Sequence, residues 1–326
     1  MKKYELQNQG IPLFVDHVNN LPAIKGTGFD SWYVICNFEA DGKQYGLQWH
    51  QQVLFGQLIT AEYLLMDVER NIWSKLSTTE PVSETSRVDS NKMYVSSSFG
   101  TLKGDHRQMQ LDLKGRDGEA YVTLRGRGPV LYNGTTGLLK FLGGGDSFEY
   151  GYFNMDIEGH VIIQGKTVEI RHATAWFDRQ WGASGNANDV KEGKGINKLS
   201  WLWLGMPLGK DDEGAVSLWD AYGRDGRFTF ATVYRADGTQ LNLPAEVSYD
   251  DIWTSQESGN SYPRTVHISV PKEQLTLTLR FVSDTPEVVG TISGCQSLVK
   301  VDGQHHGQRI DRYNILEIVG DLCGEI

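Results

Sequence analysis

Polar and apolar residues alternate with a period of two over much of the chain, which is typical of β-strands that bury one face. The clearest case is a predicted hairpin in which residues 32–38 lead into a turn at Asp41 and Gly42 and return through residues 44–50. Each strand has one apolar face, formed by Trp32, Val34, Cys36 and Phe38 and then by Tyr45, Leu47 and Trp49. Gln48 and His50 lie opposite, so we expect them to face either water or a cavity.

The dipeptide Asp-Gly, which tolerates the positive φ angles of hairpin turns, occurs five times near extended segments. The five are Asp41-Gly42, Asp117-Gly118, Asp225-Gly226, Asp237-Gly238 and Asp302-Gly303. Further strands are predicted over residues 92–99, 109–114, 119–125, 160–163, 167–177, 199–204, 215–222, 227–234, 265–270, 274–282, 296–301 and 312–319. Because no amphipathic helix longer than about three turns fits the sequence, the pattern predicts an all-β antiparallel protein.

Composition supports this fold class, since 37 Gly, 9 Trp and 14 Tyr against 9 Pro in 326 residues suit tight turns between aromatic-rich strands. So many antiparallel strands must hide their edges, and closure into barrels removes edges altogether. We therefore expect two antiparallel β-barrel domains packed together, residues 1–188 and 189–326, divided in the polar, glycine-rich stretch 182–198. A second irregular segment, 134–147, is a predicted long loop, and such loops often carry function.

Charge and cysteine content exclude several classes of protein. A formal net charge of -10 repels nucleic acid and anionic membranes alike. No apolar run follows the N-terminal lysines, and no stretch of about 18 apolar residues occurs, so we expect a cytoplasmic protein without a membrane span. Three widely spaced cysteines form neither a disulfide framework nor a zinc pattern, and we interpret them as reduced core thiols.

Short motifs for nucleotides, zinc and serine-hydrolase chemistry are missing from the sequence. His305 and His306 are adjacent, but neighbouring strand residues point to opposite faces, so the pair should chelate poorly. We expect these two histidines in an exposed loop after Asp302 and Gly303, and we expect neither a metal nor another cofactor.

The densest cluster of polar and aromatic residues is 175–182, in which Trp176, Asp178 and Gln180 share one face of a predicted strand. Desolvation in an apolar cavity would raise the pKa of such an aspartate and let Asp178 act as a general acid. The alternative is an ion pair between Asp178 and an arginine that closes the end of the barrel.

A second cluster lies in residues 216–222, where Asp220 and Tyr222 share a face with apolar residues. A carboxylate on that face needs a partner, so Asp220 is either a ligand contact or a turn residue. Trp201 and Trp203, two positions apart, are either core residues or a platform for a flat or polyene ligand.

Four segments resemble the family of carotenoid 1,2-hydratase (hydroxyneurosporene synthase) and the AttH-like proteins, a group that includes kievitone hydratase and is similar to fungal Diels-Alderases. They are residues 29–34 with 41–48, residues 175–182, residues 201–204 with the hairpin to Trp219, and residues 313–320. Gln180 stands where the family usually has Glu, and Ser31 where it often has Trp. The resemblance implies two lipocalin-like barrels, a cavity near their interface, and chemistry without a cofactor.

The leading interpretation is a cofactor-independent lyase or isomerase, a hydratase, dehydratase or cyclase, that protonates a double bond of a terpenoid, polyene, polyketide or flavonoid-like molecule. Asp178 is the predicted proton donor, and His50 with Gln48 would position water, unless His50 is merely exposed to solvent. The predicted substrate contacts are Trp32, Tyr33, Gln48, Trp176, Gln180, Trp201, Trp203, Asp220 and Tyr222. A non-catalytic carrier of a hydrophobic molecule is the main alternative, and a protein-interaction scaffold is a third.

Overall fold

The computed structural model describes residues 13–139, 146–183, 200–209, 214–223, 226–283, 287–290 and 293–324. Most of these residues form antiparallel strands in two curled, barrel-like sheets, which confirms the predicted all-β class. The described ranges contain two short 3-10 turns but no α-helix, so they include no helix that is long and apolar enough to cross a membrane.

The first sheet contains twelve strands. They are β1 (Phe29–Ala40), β2 (Lys43–Leu54), β3 (Leu58–Asp67), β4 (Ile72–Pro81), β5 (Met93–Ser97), β6 (Gly100–Gly104), β7 (Gln108–Lys114), β8 (Gly118–Gly126), β9 (Val130–Tyr132), β10 (Leu138–Leu139), β11 (Ser147–Ile163) and β12 (Lys166–Gly182). The main path runs β4-β3-β2-β1-β12-β11-β8-β7-β6-β5. β1 therefore lies between its hairpin partner β2 and the last strand of the sheet.

The second sheet contains ten strands. They are β13 (Ser200–Leu208), β14 (Gly214–Gly223), β15 (Gly226–Tyr234), β16 (Gln240–Pro244), β17 (Glu246–Thr254), β18 (Ser261–Val270), β19 (Leu275–Phe281), β20 (Glu287–Val288), β21 (Gly294–His305) and β22 (Gln308–Val319). The main path runs β16-β15-β14-β13-β22-β21-β19-β18-β17. One face of this sheet holds a continuous aliphatic core that includes Leu202, Leu204, Leu218, Val266 and Leu316. We call that face its inner face.

Residue contacts group Val15–Val130 and Phe148–Ala183 into one compact unit, and they place Leu131–Ser147 with the second sheet in the other. Within that second unit, the Tyr132 amide donates to Gln240 Oε1 at 2.8 Å. The segment predicted as one long loop contains a 3-10 turn and β10 in its described part. The predicted domain boundary at residues 188 and 189 lies outside the described residues.

The first sheet also has two distinct faces. On its inner face, side chains reach across the curled sheet: Gln51 Nε2 on β2 donates to the Ser96 carbonyl on β5 at 3.0 Å. Trp32 and Arg179 lie on this inner face, and the alternate residues of the same strands lie on the outer face. Strand β7 buries every second residue, as simple alternation predicts, whereas β1 and β2 are buried on both faces over most of their lengths.

The predicted hairpin at Asp41 and Gly42 is confirmed. Both residues have positive φ, 52° and 71°, and Ala40 is opposite Lys43, which makes a two-residue turn. Such a turn fixes the register of the whole pair, and it places Tyr33 opposite His50.

The prediction of a turn at Asp302 and Gly303 is wrong. Both residues lie inside β21, where Asp302 is opposite Thr278 on β19. A Cβ atom at position 303 would lie 2.1 Å from the Thr276 carbonyl oxygen, so this glycine serves close backbone approach rather than a turn. The hairpin instead turns at residues 306 and 307. Asp225, in another predicted turn, lies outside the described residues.

Candidate active site

Six of the predicted site residues lie together on the outer face of the first sheet, in three neighbouring rows across its strands. The central row contains Asp178, Tyr33, His50 and Glu62, which lie opposite one another on β12, β1, β2 and β3. The flanking rows contain Gln180, Ser31 and Gln52 on one side and Trp176, Ile35 and Gln48 on the other. Directly opposite residues have Cβ atoms about 4.5–5.5 Å apart, so these side chains form one continuous patch.

His50 is held at both ring nitrogens. Its Nε2 lies 2.8 Å from Ser31 Oγ and 3.2 Å from Gln52 Nε2, and its Nδ1 lies 3.4 Å from Glu62 Oε1. A carboxylate only accepts hydrogen bonds, so Glu62 favours the tautomer with the proton on Nδ1 and a free electron pair on Nε2. His50 and Glu62 are each only 9% exposed, so the alternative of a solvent-exposed histidine is wrong.

Asp178 is buried among aromatic residues at the other end of the row, beside Tyr33. Trp176 Nε1 donates to Asp178 Oδ1 over a long 3.5 Å. The next residue, Arg179, is not the ion-pair partner considered above, because it lies on the inner face with its Nη1 2.5 Å from Asp30 Oδ1. Asp178 thus shares the outer face with His50 and Glu62, while Arg179, the next residue, forms its ion pair on the inner face.

Trp32 lies on the inner face and does not line the outer-face patch. Its Nε1 donates to the Leu21 carbonyl at 3.0 Å, and the Arg179 guanidinium lies 4.2 Å from its ring centroid. The side chain is fully buried by these contacts. Strand alternation therefore separates Trp32 from Tyr33, although the sequence analysis assigned both to one site.

Trp201 and Trp203 lie on the outer face of the second sheet, opposite its aliphatic core. Trp203 lies between Trp219 and Glu317 on the neighbouring strands. Trp201 Nε1 donates to Glu317 Oε1 at 2.8 Å, and Trp203 Nε1 donates to Ser217 Oγ at 3.1 Å. Neither tryptophan belongs to the aliphatic cluster on the inner face, although Trp203 is buried, so the choice between a core role and a ligand platform stays a prediction.

Asp220 and Tyr222 lie on the inner face of the same sheet, so they do not share a face with Trp201 and Trp203. The Asp220 carboxylate is fully buried and accepts hydrogen bonds from Arg227 at 2.7 and 2.9 Å, from Thr229 at 2.6 Å, and from the Tyr249 hydroxyl. Burial and the Asp220 charge raise the pKa of Tyr222 to about 12. The partner that the Asp220 carboxylate needs is thus supplied by the protein itself.

The sequence analysis did not select Ser31 or Glu62. Ser31 follows from the first hairpin, because the register that places Tyr33 opposite His50 also places Ser31 beside it. Glu62 depends on the loop between β2 and β3, where Phe55 and Gly56 have φ of 53° and 66°. A positive φ at a phenylalanine has no sequence signature, so that register was not predictable.

One trio of described side chains could hold a metal ion, and it lies outside the outer-face patch. Glu273, His305 and His306 in the second sheet have potential ligand atoms within 4.8 Å of one another. A separate groove of about 420 Å³ on the second sheet is lined by residues that include Glu246, His267 and Asp302. None of the predicted site residues lines that groove.

Comparison with known proteins identifies relatives with the same fold and the family to which the chain belongs. The structure matches the crystal structures of kievitone hydratase from Nectria haematococca, with a TM-score of 0.79 at 20% identity over 96% of this chain and 94% of that chain, and of a putative AttH from Nitrosomonas europaea, with a TM-score of 0.78 at 17% identity over 96% and 98%. The chain is also 24% identical over 203 residues to the dehydratase asqC of Emericella nidulans, covering 58% of this chain and 54% of that protein. It thus matches about half the length of this curated relative. The AttH-like family model matches residues 23–309, and the chain belongs to the AttH-like family.

Proposed function

We propose that the chain is a hydro-lyase or a related cyclase that transfers a proton to or from a carbon-carbon double bond of a hydrophobic small molecule. The central outer-face row supports this most, because Asp178 and His50 flank Tyr33 on three adjacent strands. Neighbouring strands lie about 4.8 Å apart, so the backbones of Asp178 and His50 lie about 10 Å apart, and a substrate bound over Tyr33 could contact both groups. Two relatives named as a hydratase and a dehydratase support the same reaction class.

Asp178 exchanges the proton with carbon. In the hydration direction its carboxyl group donates a proton to one alkene carbon, and positive charge develops on the other. Tyr33 and Trp176 neighbour Asp178 on the same face, and aromatic ring faces attract a developing cation. Water then bonds to the cationic carbon. Dehydration is the same sequence in reverse, with the Asp178 carboxylate accepting the proton.

Ser31 and His50 exchange the proton with oxygen. The attacking water gives its proton to Ser31 Oγ as the Ser31 hydroxyl proton moves 2.8 Å to His50 Nε2. The resulting imidazolium is stabilised by Glu62 at Nδ1. Gln48, in the adjacent row, is the proposed group that helps to position the water.

The same cation gives a ring when a second double bond of the substrate captures it instead of water, which is the cyclase variant of the proposal. No step uses a cofactor. The proposed substrate classes are terpenoid, polyene, polyketide and flavonoid-like molecules, and Trp201 and Trp203 stay predicted contacts. Trp32, Asp220 and Tyr222 are not retained, because they lie on inner faces.

The test compares Asp178→Asn with a matched control, Asp220→Asn, on a panel that contains kievitone and unsaturated terpenoid, polyene and polyketide molecules. Mass spectrometry in isotopically labelled water detects gain or loss of one water or a rearranged product. We expect Asp178→Asn to lower turnover by at least ~10²-fold while substrate binding and the melting temperature stay unchanged, because it removes a transferable proton but keeps the shape.

The Asp220→Asn control should behave in the opposite way. It removes the charge partner of Arg227, so we expect a lower melting temperature with turnover close to wild type. Wild-type turnover in Asp178→Asn would contradict the proposed acid. Panel molecules that bind without any conversion would instead favour the carrier.

A further inference from the structure

The end of the β21-β22 hairpin carries three side chains whose metal-binding atoms converge. Glu273 Oε2 lies 3.5 Å from His306 Nε2 and 3.9 Å from His305 Nε2. Glu273 belongs to the 3-10 turn between β18 and β19, and the two histidines belong to the hairpin. Two separate turns of the second sheet therefore meet at this trio.

The sequence argument against chelation fails at His306 because this residue is not in a strand. His305 is the last residue of β21 and lies opposite Gln308, so His306 and Gly307 form a two-residue turn with φ of 48° and 77°. The strand alternation that would separate two neighbouring imidazoles ends at His305. The ring centroids accordingly lie 4.4 Å apart.

The spacing of the three atoms is close to that of a bound transition metal. Ligand atoms about 2.0–2.1 Å from one Zn²⁺ at tetrahedral angles lie about 3.4 Å apart. The two distances from Glu273 Oε2, 3.5 and 3.9 Å, need only a small contraction to reach that value. Two of the three spacings are thus near their values in a bound site, and all three ligand atoms lie within 4.8 Å of one another.

The backbone and Arg235 hold the trio in place. The His306 amide donates to the Gln274 carbonyl at 3.3 Å, which ties the hairpin to the 3-10 turn. Arg235 Nη2 donates to Glu273 Oε1 at 2.5 Å and Arg235 Nε donates to Oε2 over a longer 3.3 Å, so the guanidinium fixes the carboxylate while Oε2 also lies near the two imidazoles. Ligating carboxylates in metal sites are commonly fixed by such an outer hydrogen bond.

The state of His305 also points to a ligand. Its Nε2 is buried and has no hydrogen-bond partner in the described part of the chain, since Glu273 Oε2 at 3.9 Å is too far. A buried imidazole nitrogen that has no hydrogen-bond partner is a position that a metal ion can fill.

We propose that Glu273, His305 and His306 form a binding site for a divalent transition metal of the zinc class. Two imidazoles and one carboxylate are a ligand set for Zn²⁺ rather than for Ca²⁺ or Mg²⁺, which prefer oxygen ligands alone. A bound ion would cross-link the hairpin to the 3-10 turn and stabilise this end of the second sheet. The site is independent of the proposed hydro-lyase chemistry, so neither proposal depends on the other.

The experiment titrates Zn²⁺ into the chelator-treated protein by isothermal titration calorimetry. We expect one equivalent to bind to wild type. His305→Ala and His306→Ala should each weaken binding by at least about tenfold, because losing a ligand costs no less than the roughly 10–100-fold caused by losing an outer hydrogen bond. The matched control is His267→Ala, which removes a partly exposed histidine that contacts Asp250 at 2.9 Å. The described residues give this pair no third ligand, so the variant should leave binding unchanged.

A second measurement guards against a folding defect. Zn²⁺ should raise the melting temperature of wild type and of His267→Ala but not of the double variant His305→Ala/His306→Ala, whose circular dichroism should match that of wild type. No saturable Zn²⁺ binding to wild type, or undiminished binding by the double variant, would overturn the proposal. Loss of binding in His267→Ala alone would also overturn it, since it would place the ion elsewhere.

Discussion

The two faces of the first sheet use polar residues in opposite ways, although they belong to the same strands. On the inner face Arg179 is fully buried and donates to the carbonyl groups of Asn20, Leu21, Pro22, Ser31 and Gln180 as well as pairing with Asp30. On the outer face the central row places Asp178 and His50 around Tyr33. The inner face pairs its buried cation with protein groups, and the outer face carries the groups that we propose exchange protons with a substrate.

The closed arrangement is a structural one. The Arg179 guanidinium stacks over Trp32 and Trp181, 4.2 and 4.9 Å from the ring centroids, so every part of this cation is engaged by the protein. Burial raises the pKa of Asp30, and the neighbouring Arg179 opposes that effect. Because the Arg179 guanidinium is engaged by protein groups on all sides, it is not expected to bind a substrate.

The second sheet shows the same division. Its inner face carries Asp220 in a closed set with Arg227, Thr229 and Tyr249, and its outer face carries Trp201 and Trp203. Asp178 and Asp220, two aspartates on strands rich in aromatic residues, therefore lie on opposite kinds of face. The face of the strand distinguishes a structural carboxylate from a candidate catalytic one, and the following predictions test this rule.

The largest effect is expected for Arg179→Met, which should lower the free energy of unfolding by about 3–5 kcal/mol, because Asp30 remains buried without its partner. Urea denaturation measures this loss. A folded-state pKa of Asp30 above the ordinary value means that the carboxyl favours folding in its protonated form, so its contribution is full below about 4 and is lost as the pH rises above that value. The deficit of the variant should accordingly shrink as the pH falls toward about 4.

The control for this prediction is Arg87→Met, which removes a surface arginine that stacks over Tyr94, 4.9 Å from the ring centroid. It should change the free energy of unfolding by less than about 1 kcal/mol. An equally small loss in Arg179→Met would show that the inner-face pair is not structural.

An intermediate effect is expected for Glu62→Gln on the outer face. Gln keeps a hydrogen-bond acceptor for His50 Nδ1 but loses the charge that stabilises an imidazolium, so kcat should fall roughly tenfold to 100-fold. KM and the melting temperature should stay close to wild type. If Glu62 served only in packing, the melting temperature would fall instead. Steady-state kinetics with a substrate identified from the panel measures kcat and KM separately.

The matched control is Glu69→Gln, since Glu69 is an exposed carboxylate that pairs with Lys43 at 3.2 Å on the same unit. It should leave kcat unchanged. A rise in KM without a change in kcat in Glu62→Gln would contradict the assigned role and would place Glu62 among the binding residues.

The smallest effect is expected for Tyr222→Phe. The Tyr222 hydroxyl is buried without a hydrogen-bond partner in the described residues, so its removal should change the free energy of unfolding by less than about 1 kcal/mol. Because the folded-state pKa is raised to about 12, this tyrosine favours folding at neutral pH and loses that contribution as the pH rises from about 10 to about 12. The variant should lack that part of the alkaline decline.

Thermal unfolding between neutral and strongly alkaline pH checks this prediction, and KM provides a second readout. An unchanged KM agrees with an inner-face residue outside the site. A markedly higher KM in Tyr222→Phe would restore the original assignment of Tyr222 as a substrate contact and would break the division between faces.

Local sequence determined the strands and the first hairpin. Alternation identified segments of many strands but not β3, β4, β16 or β17. Asp41 with Gly42 defined a two-residue turn, because the preference for positive φ is encoded in those two residues alone. The register of that turn already places Tyr33 opposite His50 and Ser31 beside it. The motif that contains Asp178 was also visible in the sequence, both as a polar and aromatic cluster and as a family resemblance.

Tertiary structure decided which side chains become neighbours of these residues. Asp178 reaches Tyr33 through the pairing of β1 with β12, which are separated by more than a hundred residues, and no local signal specifies that register. Glu62 reaches His50 through a loop that holds Phe55 at positive φ. Gly303 was predicted to be a turn residue, but it lies inside a strand, where the backbone of the neighbouring strand leaves no space for a Cβ atom. The physical reason is the same in each case: a turn is set by the φ and ψ preferences of two or three residues, whereas pairing between distant strands is set by the packing of the whole sheet.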